Sequence, residues 1–268
     1  MKGNKHIERD GKEATKIYDN RSLAKDYRTL QTLLKPGMVV LDVGCGTGAI
    51  SKDIAKIVGV KGKVIGIDNT QKFIESGQQT YKEVSNLELI HSDLFDFESE
   101  EKFDLIVAAR VLQWLTTPKK ALIKMKNLLK VNGQLSILDY NHEALEWTPS
   151  PPPSMRTFYD IFLQWRKDAG MHNAIAEELA DMLKEVGFQS VEVFNSNEYY
   201  KRGQDNFQAK VGIWSKVAGL DQIVEEGYLE DTTRLQVIAE YDKWVATEAI
   251  SMTMKLKEIR GQKRLTNQ

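Results

Sequence analysis

Cysteine is nearly absent: the 268 residues contain one, Cys45, so no intrachain disulfide can form and a reducing compartment fits best. No excess of either charge exists. Lysine and arginine total 37 against 38 acidic residues, and the formal net charge is -1. No half of the chain is a basic block, so the field that gathers a nucleic-acid backbone is missing. Nowhere do about 18 apolar residues run together, which excludes an ordinary membrane helix. The lysines of Met1-Lys2-Gly3-Asn4-Lys5-His6 lead into no apolar stretch of the signal-peptide kind. The four histidines, the cysteine and the carboxylates show no metal-ligand spacing, so no metal is expected. What remains is a cytoplasmic protein whose partner is a small molecule, not a nucleic acid, with no membrane span. At about 100–200 residues per domain, the length allows one large domain or one domain with a cap.

Present instead is an alternation of strand and helix patterns. Leu23, Tyr27, Leu30 and Leu34 recur at helical spacing and stop at Pro36-Gly37. Met38–Leu41, Lys63–Ile67, Leu87–His91, Phe103–Ala108 and Leu135–Leu138 read as buried strands, with helical patterns between them. Thr117-Pro118 is an N-cap with proline at the first helical position. Such alternation implies a doubly wound α/β domain, a mostly parallel sheet with helices on both faces. Ile175, Leu179, Leu183 and Val186 mark another helix, and Gln189–Phe194 a sixth strand; the pattern near Tyr199 leaves a seventh open. The division expected is an N-terminal helical segment (1–35), a core (36–200) with a cap insertion at about 141–172, and a helical C-terminal extension (201–268). Helices there run through Phe207, Val211 and Trp214 and through Leu235, Ile238, Tyr241 and Val245.

The strongest chemical signal is Val40-Leu41-Asp42-Val43-Gly44-Cys45-Gly46-Thr47-Gly48. A buried strand enters a loop with glycine at alternate positions, and a helix follows. Glycine lets the backbone turn sharply and approach a ligand, and the helix start offers unpaired N–H groups. Asp68 ends the second strand in Gly66-Ile67-Asp68-Asn69, where an acid can accept both hydroxyls of a ribose; its other reading is a solvated turn. Ser92-Asp93-Leu94 ends the third strand, where a carboxylate can accept from an exocyclic amine or cap its own loop. Asp42 either reaches the ligand or braces the loop. Cys45 reads as a small side chain in a crowded turn, because a catalytic thiol wants a histidine partner and none is near in sequence.

Together with Phe103-Asp104-Leu105-Ile106-Val107-Ala108-Ala109-Arg110, this set resembles class I S-adenosylmethionine-dependent methyltransferases, most closely the ubiquinone/menaquinone-biosynthesis-like branch. The resemblance covers roughly residues 15–195 and is most specific over 38–139. It implies a Rossmann-like sheet of six or seven strands and S-adenosylmethionine as cofactor. Gly44, Cys45, Gly46 and Gly48, with Asp42, would hold its methionine part; Asp68 and Asn69 its ribose; Ser92, Asp93 and Leu94 its adenine. Ala109 and Arg110 would line it beyond the fourth strand. A tyrosine at Tyr18 would close over it. No Asn-Pro-Pro-Tyr run, the family's mark for amide or exocyclic amine substrates, follows the fourth strand. The implied reaction is transfer of a methyl to an O or C atom of a small, planar metabolite by in-line displacement.

Such a displacement needs an aligned acceptor and a base only where a proton must leave. The catalytic candidates are His142, by its position after the fifth strand, and Tyr18; the other reading of His142 is an exposed loop histidine. Gln113, Trp114, Tyr140, Asn141, Trp147, Arg156 and Tyr159 are the substrate candidates, with Phe158 and Trp165 either completing an aromatic lid or only packing a cap helix. Residues 201–268 would build the substrate cap or an oligomer interface, and a homodimer is allowed. Two other functions stand beside this one. An NAD-dependent oxidoreductase would carry G-x-G-x-x-G in place of the spacing Gly44, Gly46, Gly48. A non-enzymatic adenosyl-ligand binding protein would keep the fold without the chemistry.

Overall fold

Short apolar runs punctuated by glycine build the sheet, and amphipathic helices cover it. The structure, a computed structural model, describes residues 21–264. A four-residue helix α1 (Leu23–Asp26) and a 3-10 turn (Arg28–Thr32) precede β1 (Val39–Val43), α2 (Ala49–Val58), β2 (Lys63–Asp68), α3 (Gln71–Thr80) and β3 (Leu87–His91). Next come β4 (Phe103–Ala109), a 3-10 turn (Leu112–Trp114), α4 (Pro118–Leu128) and β5 (Leu129–Thr148). The cap helix α5 (Pro153–Asp168) follows, then α6 (Ile175–Glu185), β6 (Gln189–Asn195) and β7 (Glu198–Lys201). Four helices, α7 (Phe207–Val211), α8 (Ile213–Ala218), α9 (Asp221–Glu225) and α10 (Asp231–Thr247), lead to β8 (Ser251–Gln262).

The strands lie in the order β3-β2-β1-β4-β5-β8-β6, with β7 also paired to β8. β1 to β5 pair in parallel, while β8 is antiparallel to each of its neighbours. The chain winds outward from β1 to β3 and then restarts at β4 beside β1, so a crevice opens at the carboxyl ends of β1 and β4. Side chains of β1 alternate between two cores, as the strand period requires. Leu41 and Val43 pack with α4 and α6; Val40 packs with Leu23, Tyr27, Leu30 and α2 on the other face.

A third core lies off the sheet. Met155, Phe158, Tyr159, Phe162 and Trp165 of α5 pack with Phe207, Trp214, Tyr241 and Trp244 of the later helices. Ser154 Oγ donates to Glu240, Trp147 Nε1 to Tyr241 Oη (3.0 Å) and Trp165 Nε1 to Glu226 Oε2 (2.8 Å). The cap is therefore assembled from two stretches of sequence, 153–168 and 207–247, around one core.

The doubly wound, mostly parallel architecture and the helices beyond residue 201 are present, with two additions. The fifth strand does not stop at Leu138. It continues to Thr148 because β8 pairs with it from Gln134 to Asn141 and, past a bulge, from Glu146 to Thr148. Among the described residues the sheet has eight strands, because the chain after α10 returns as β8 between β5 and β6. Along β8 the buried face runs Met252, Leu256, Glu258 and Arg260, and the charged pair at its end hides the strand signal. Glu258 accepts from Ser136 Oγ (2.6 Å) and Arg260 Nε (2.7 Å), Ser136 is bonded to Tyr27 Oη (2.7 Å), and Arg260 Nη2 donates to Thr29 O (2.7 Å). Buried polar groups need such partners.

Candidate active site

The carboxyl ends of β1 and β2 meet in one hydrogen-bonded turn. The N–H groups of Gly44 and Cys45 both donate to Ile67 O (2.8 and 3.0 Å), and Gly46 N–H donates to Asp68 Oδ2 (2.9 Å). Asp68 Oδ1 accepts from Thr70 N–H (2.9 Å). Gly44, Gly46 and Gly48 have φ of +69°, +59° and +80°, the left-handed region that side chains disfavour. A Cβ on Gly44 would stand 2.4 Å from Val111 Cγ2. The loop is glycine-rich because both its turns and its packing demand it.

Asp42 is 4% exposed and accepts the Ser51 hydroxyl at 2.6 Å, which ties β1 to α2; the bracing role is thus present. It also lines the cleft beside the loop with Arg21, Gly44, Cys45 and Ala109. Burial pushes its carboxyl up to about 7. Burial, then Asp42 and Asp68, push the Cys45 thiol well above its usual range, which is a packing thiol and not a nucleophile. Asn69 is exposed. Asp93 Oδ1 accepts from Phe95 N–H (2.8 Å), so it does cap its own loop; Ser92 Oγ donates to Asp93 O (3.0 Å), and Leu94 is packed into the core.

S-adenosylmethionine fits these residues. The Thr47 hydroxyl, buried in the loop, has no hydrogen-bond partner among the described residues. A cation at Arg21 and a carboxylate at Asp42 flank the cleft, the complement of an amino-acid end that carries a carboxylate and an ammonium. Each Asp68 oxygen accepts one backbone N–H and keeps a second lone pair for a ribose hydroxyl.

Beyond β4 the chain turns at Arg110, a non-glycine residue with φ +64°. Its side chain is buried: Nε donates to Tyr140 Oη (2.8 Å), Nη2 to Asp26 O (3.2 Å) and to Glu198. Gln113, 2% exposed, is fixed by its N–H on Asp139 Oδ2 (3.1 Å). Its Oε1 lies 3.0 Å from Arg166 Nη2 and 2.7 Å from His142 Nε2. The Trp114 indole donates to Arg110 O (3.0 Å), and the Arg166 guanidinium stacks 4.6 Å from the Trp114 ring.

His142 is not an exposed loop histidine. The strand carries it into the interior, where its ring centroid lies 5.0 Å from Tyr140, 6.1 Å from Trp214 and 6.3 Å from Phe162. Burial, and then the Arg166 charge, hold its pKa well below 6.5. Tyr159 Oη donates to His142 O (2.7 Å), and Trp147 packs edge-on against Tyr159 at 5.1 Å. Asn141 is half-buried: its Nδ2 donates to Glu177 Oε1 (3.3 Å), while its Oδ1 is buried with no hydrogen-bond partner among the described residues. Phe158 and Trp165 are core of the cap. Arg156 is exposed, and no bond or ring contact among the described residues brings it to this cluster. Tyr18 lies outside the described residues.

Several members of the cluster were not singled out in the sequence. Arg166 continues the stripe Met155, Tyr159, Phe162 at helical spacing, and that placement is the available signal. Trp214, Asn173 and Glu198 come from distant segments; the helical pattern that includes Trp214 does not place it here, and no local pattern marks Asn173 or Glu198.

The chain is similar to known proteins at three levels. A family model described as "Methyltransferase domain" matches residues 34–200. A ubiquinone/menaquinone biosynthesis C-methyltransferase of Cupriavidus metallidurans is 27% identical, over 65% of this chain and 76% of that protein. A demethylmenaquinone methyltransferase of Staphylococcus aureus is 26% identical, over 60% and 71%. In fold, the crystal structure of a SAM dependent methyltransferase from Aquifex aeolicus matches with a TM-score of 0.54 at 19% identity, covering 93% of this chain and 97% of that one. The oxidoreductase and non-enzymatic alternatives find no support here. With its glycine loop, its strand-two acid and a family match over most of its sheet, this chain belongs to the methyltransferase-domain family and is an S-adenosylmethionine-dependent methyltransferase.

Proposed function

We propose that the enzyme methylates an oxygen or carbon atom of a small, planar, hydroxylated acceptor, of the quinol or phenol kind. The observation that carries this reading is the buried imidazole of His142, set among Tyr140, Phe162 and Trp214 where β5 runs on past the carboxyl end of β4. Flat rings favour offset or edge-on neighbours, which this cluster offers. Quinone-biosynthesis names among the relatives point the same way.

S-adenosylmethionine supplies a methyl already activated on a sulfonium. The protein's part is to hold the acceptor in line, keep water out and accept a proton. His142 is the base of this reading: its depressed pKa keeps it neutral near pH 7, and such a base suits an acidic phenolic or enolic hydroxyl better than an aliphatic alcohol. Gln113, Trp114, Tyr140, Trp147 and Tyr159 surround the acceptor; Asp42, the glycine loop, Asp68 and Asp93 hold the cofactor. Residues 201–247 close the site as half of the cap. On the same reading the enzyme works in the cytoplasm on a small molecule and not on nucleic acid, and sedimentation would test for a homodimer. Among the described residues no helix is long and apolar enough to cross a membrane.

The test is transfer of labelled methyl from S-adenosylmethionine to a panel containing a naphthoquinol, a catechol, an aliphatic alcohol and a primary amine. Transfer to the ring acceptors is expected, falling roughly 10²–10⁴-fold in His142→Asn. Transfer only to the amine or the alcohol overturns the reading.

A further inference from the structure

Three buried side chains in contact, Arg166, Gln113 and His142, contain more information than their packing. Arginine can only donate hydrogen bonds, so the Gln113 atom 3.0 Å from Arg166 Nη2 must be the amide oxygen. The amide nitrogen is then the atom 3.4 Å from Arg110 O, where a donor belongs. Since His142 Nε2 lies 2.7 Å from that same Gln113 oxygen, it must carry a proton. In a neutral imidazole the lone pair is then on Nδ1.

The arrangement is anchored on every side. Arg166 Nε donates to Asn173 Oδ1 (2.8 Å), and Asn173 Nδ2 donates to Leu163 O (2.9 Å). His142 N–H donates to Asn173 O (2.7 Å), so the loop that orients Arg166 also holds the backbone of the histidine. Gln113 is pinned through its own N–H by Asp139. We propose that Arg166 and Gln113 are positioning residues that hold His142 in its Nε2-protonated form and leave Nδ1 as the atom that takes the acceptor's proton. The proposal rests on His142 being the base of the methyl transfer.

The charged and titratable groups around His142 are consistent with that role. From α5 come Arg166 and Tyr159; from β5 come Asp139, Tyr140 and Glu143; the turn after β4 adds Arg110, and the loop before α6 adds His172. Arg166 is the group that acts on the imidazole with burial to keep it uncharged, while Tyr140, pushed up to about 12 by burial, keeps its own proton. In transfer to oxygen the hydroxyl proton of the acceptor passes to Nδ1 as the electron pair it leaves behind forms the bond to the methyl carbon; in transfer to carbon that pair closes a C=O bond and the displaced π pair forms the bond to the methyl carbon. The electrons of the broken C–S bond stay on sulfur, and the imidazolium returns its proton to solvent when product leaves. An Nδ1-protonated histidine could not do this without first losing its bond to Gln113.

Nitrogen-15 NMR of the full-length protein tests the inference without an identified acceptor, because only four histidines contribute ring signals. The wild type should show His142 as a single Nε2–H tautomer that resists protonation below pH 6.5. Arg166→Gln should mix the tautomers and raise the His142 pKa. Gln113→Glu, which keeps an oxygen acceptor for both neighbours, should preserve the tautomer and raise the pKa by about 1–3 units through its added negative charge. Arg166→Lys should restore the low pKa but not the single tautomer. An Nδ1–H tautomer in the wild type overturns the proposal. So does a Gln113→Glu protein with an unmoved pKa, and this conservative variant serves if Arg166→Gln fails to fold. Unimpaired methyl transfer by His142→Asn would sink the base itself; an inactive His142→Asn beside Arg166→Gln and Gln113→Glu spectra like the wild type would sink only the positioning role.

Discussion

The two halves of the active site are built on different principles. On the proposed cofactor side the cradle is mostly backbone: three left-handed glycines, a loop whose N–H groups are tied to Ile67 O and Asp68, and one acid at the end of each of two strands. These residues lie within short stretches of sequence, and their geometry follows from the sheet. On the proposed acceptor side the cluster is made of side chains, and they come from the turn after β4, from β5, α5, α8 and the loop before α6. A backbone cradle suits a ligand common to a whole family. A cluster drawn from distant segments lets the acceptor change while the cofactor site stays fixed.

Three changes test how separable the halves are, and the largest effect belongs to the loop. Gly46→Val forces a branched side chain into φ +59° and should abolish S-adenosylmethionine binding in calorimetry, while near-ultraviolet circular dichroism from the cap tryptophans stays as in the wild type. Loss of the cap signal would mean that the loop and the cap fold as one unit. Next is Trp165→Ala, which empties the centre of the cap core and should cost about 3–5 kcal/mol of stability by chemical denaturation. Acceptor turnover should fall with it, and cofactor affinity should change by less than about threefold if the halves are independent. The smallest effect concerns pH. The Asp42 carboxyl is raised from 3.8 to about 7 in the folded protein, so its stabilising contribution is complete below pH 3.8 and is lost as pH rises through about 7. Asp42→Asn should therefore flatten the melting temperature between pH 4 and 8, and a melting profile identical to the wild type would remove Asp42 from the pH response.

The same division explains what could be read in the sequence. β1 to β4 and the glycine loop follow from local periodicity and spacing, because a parallel strand buried on both faces is a short apolar run and a left-handed turn requires glycine. β8 is hidden in the sequence because its alternation of Met252, Met254 and Leu256 runs on into Glu258 and Arg260, whose burial depends on Tyr27, Thr29 and Ser136, far away in sequence. The fifth strand looked short because only β8 keeps it extended beyond Leu138. His142 and Gln113 were visible as polar residues after strands, but what fixes their protonation is Arg166, an arginine on the apolar stripe of a helix. Tertiary context alone turns such a charge inward.

β8 also imposes an order on how the protein is made. It stands between β5 and β6, yet it follows both in the chain by more than 50 residues. While the chain is being synthesised, the outer edge of β5 and the strands β6 and β7 wait for β8 through the whole of α7 to α10. Exposed strand edges invite pairing with other chains, and contacts of such long sequence separation form slowly. Until Ser251–Gln262 emerges from the ribosome, the nascent chain can complete its glycine loop but not the ribbon that carries His142. The cofactor half can thus take shape before the acceptor half, and the open strand edges are most exposed to aggregation during that interval.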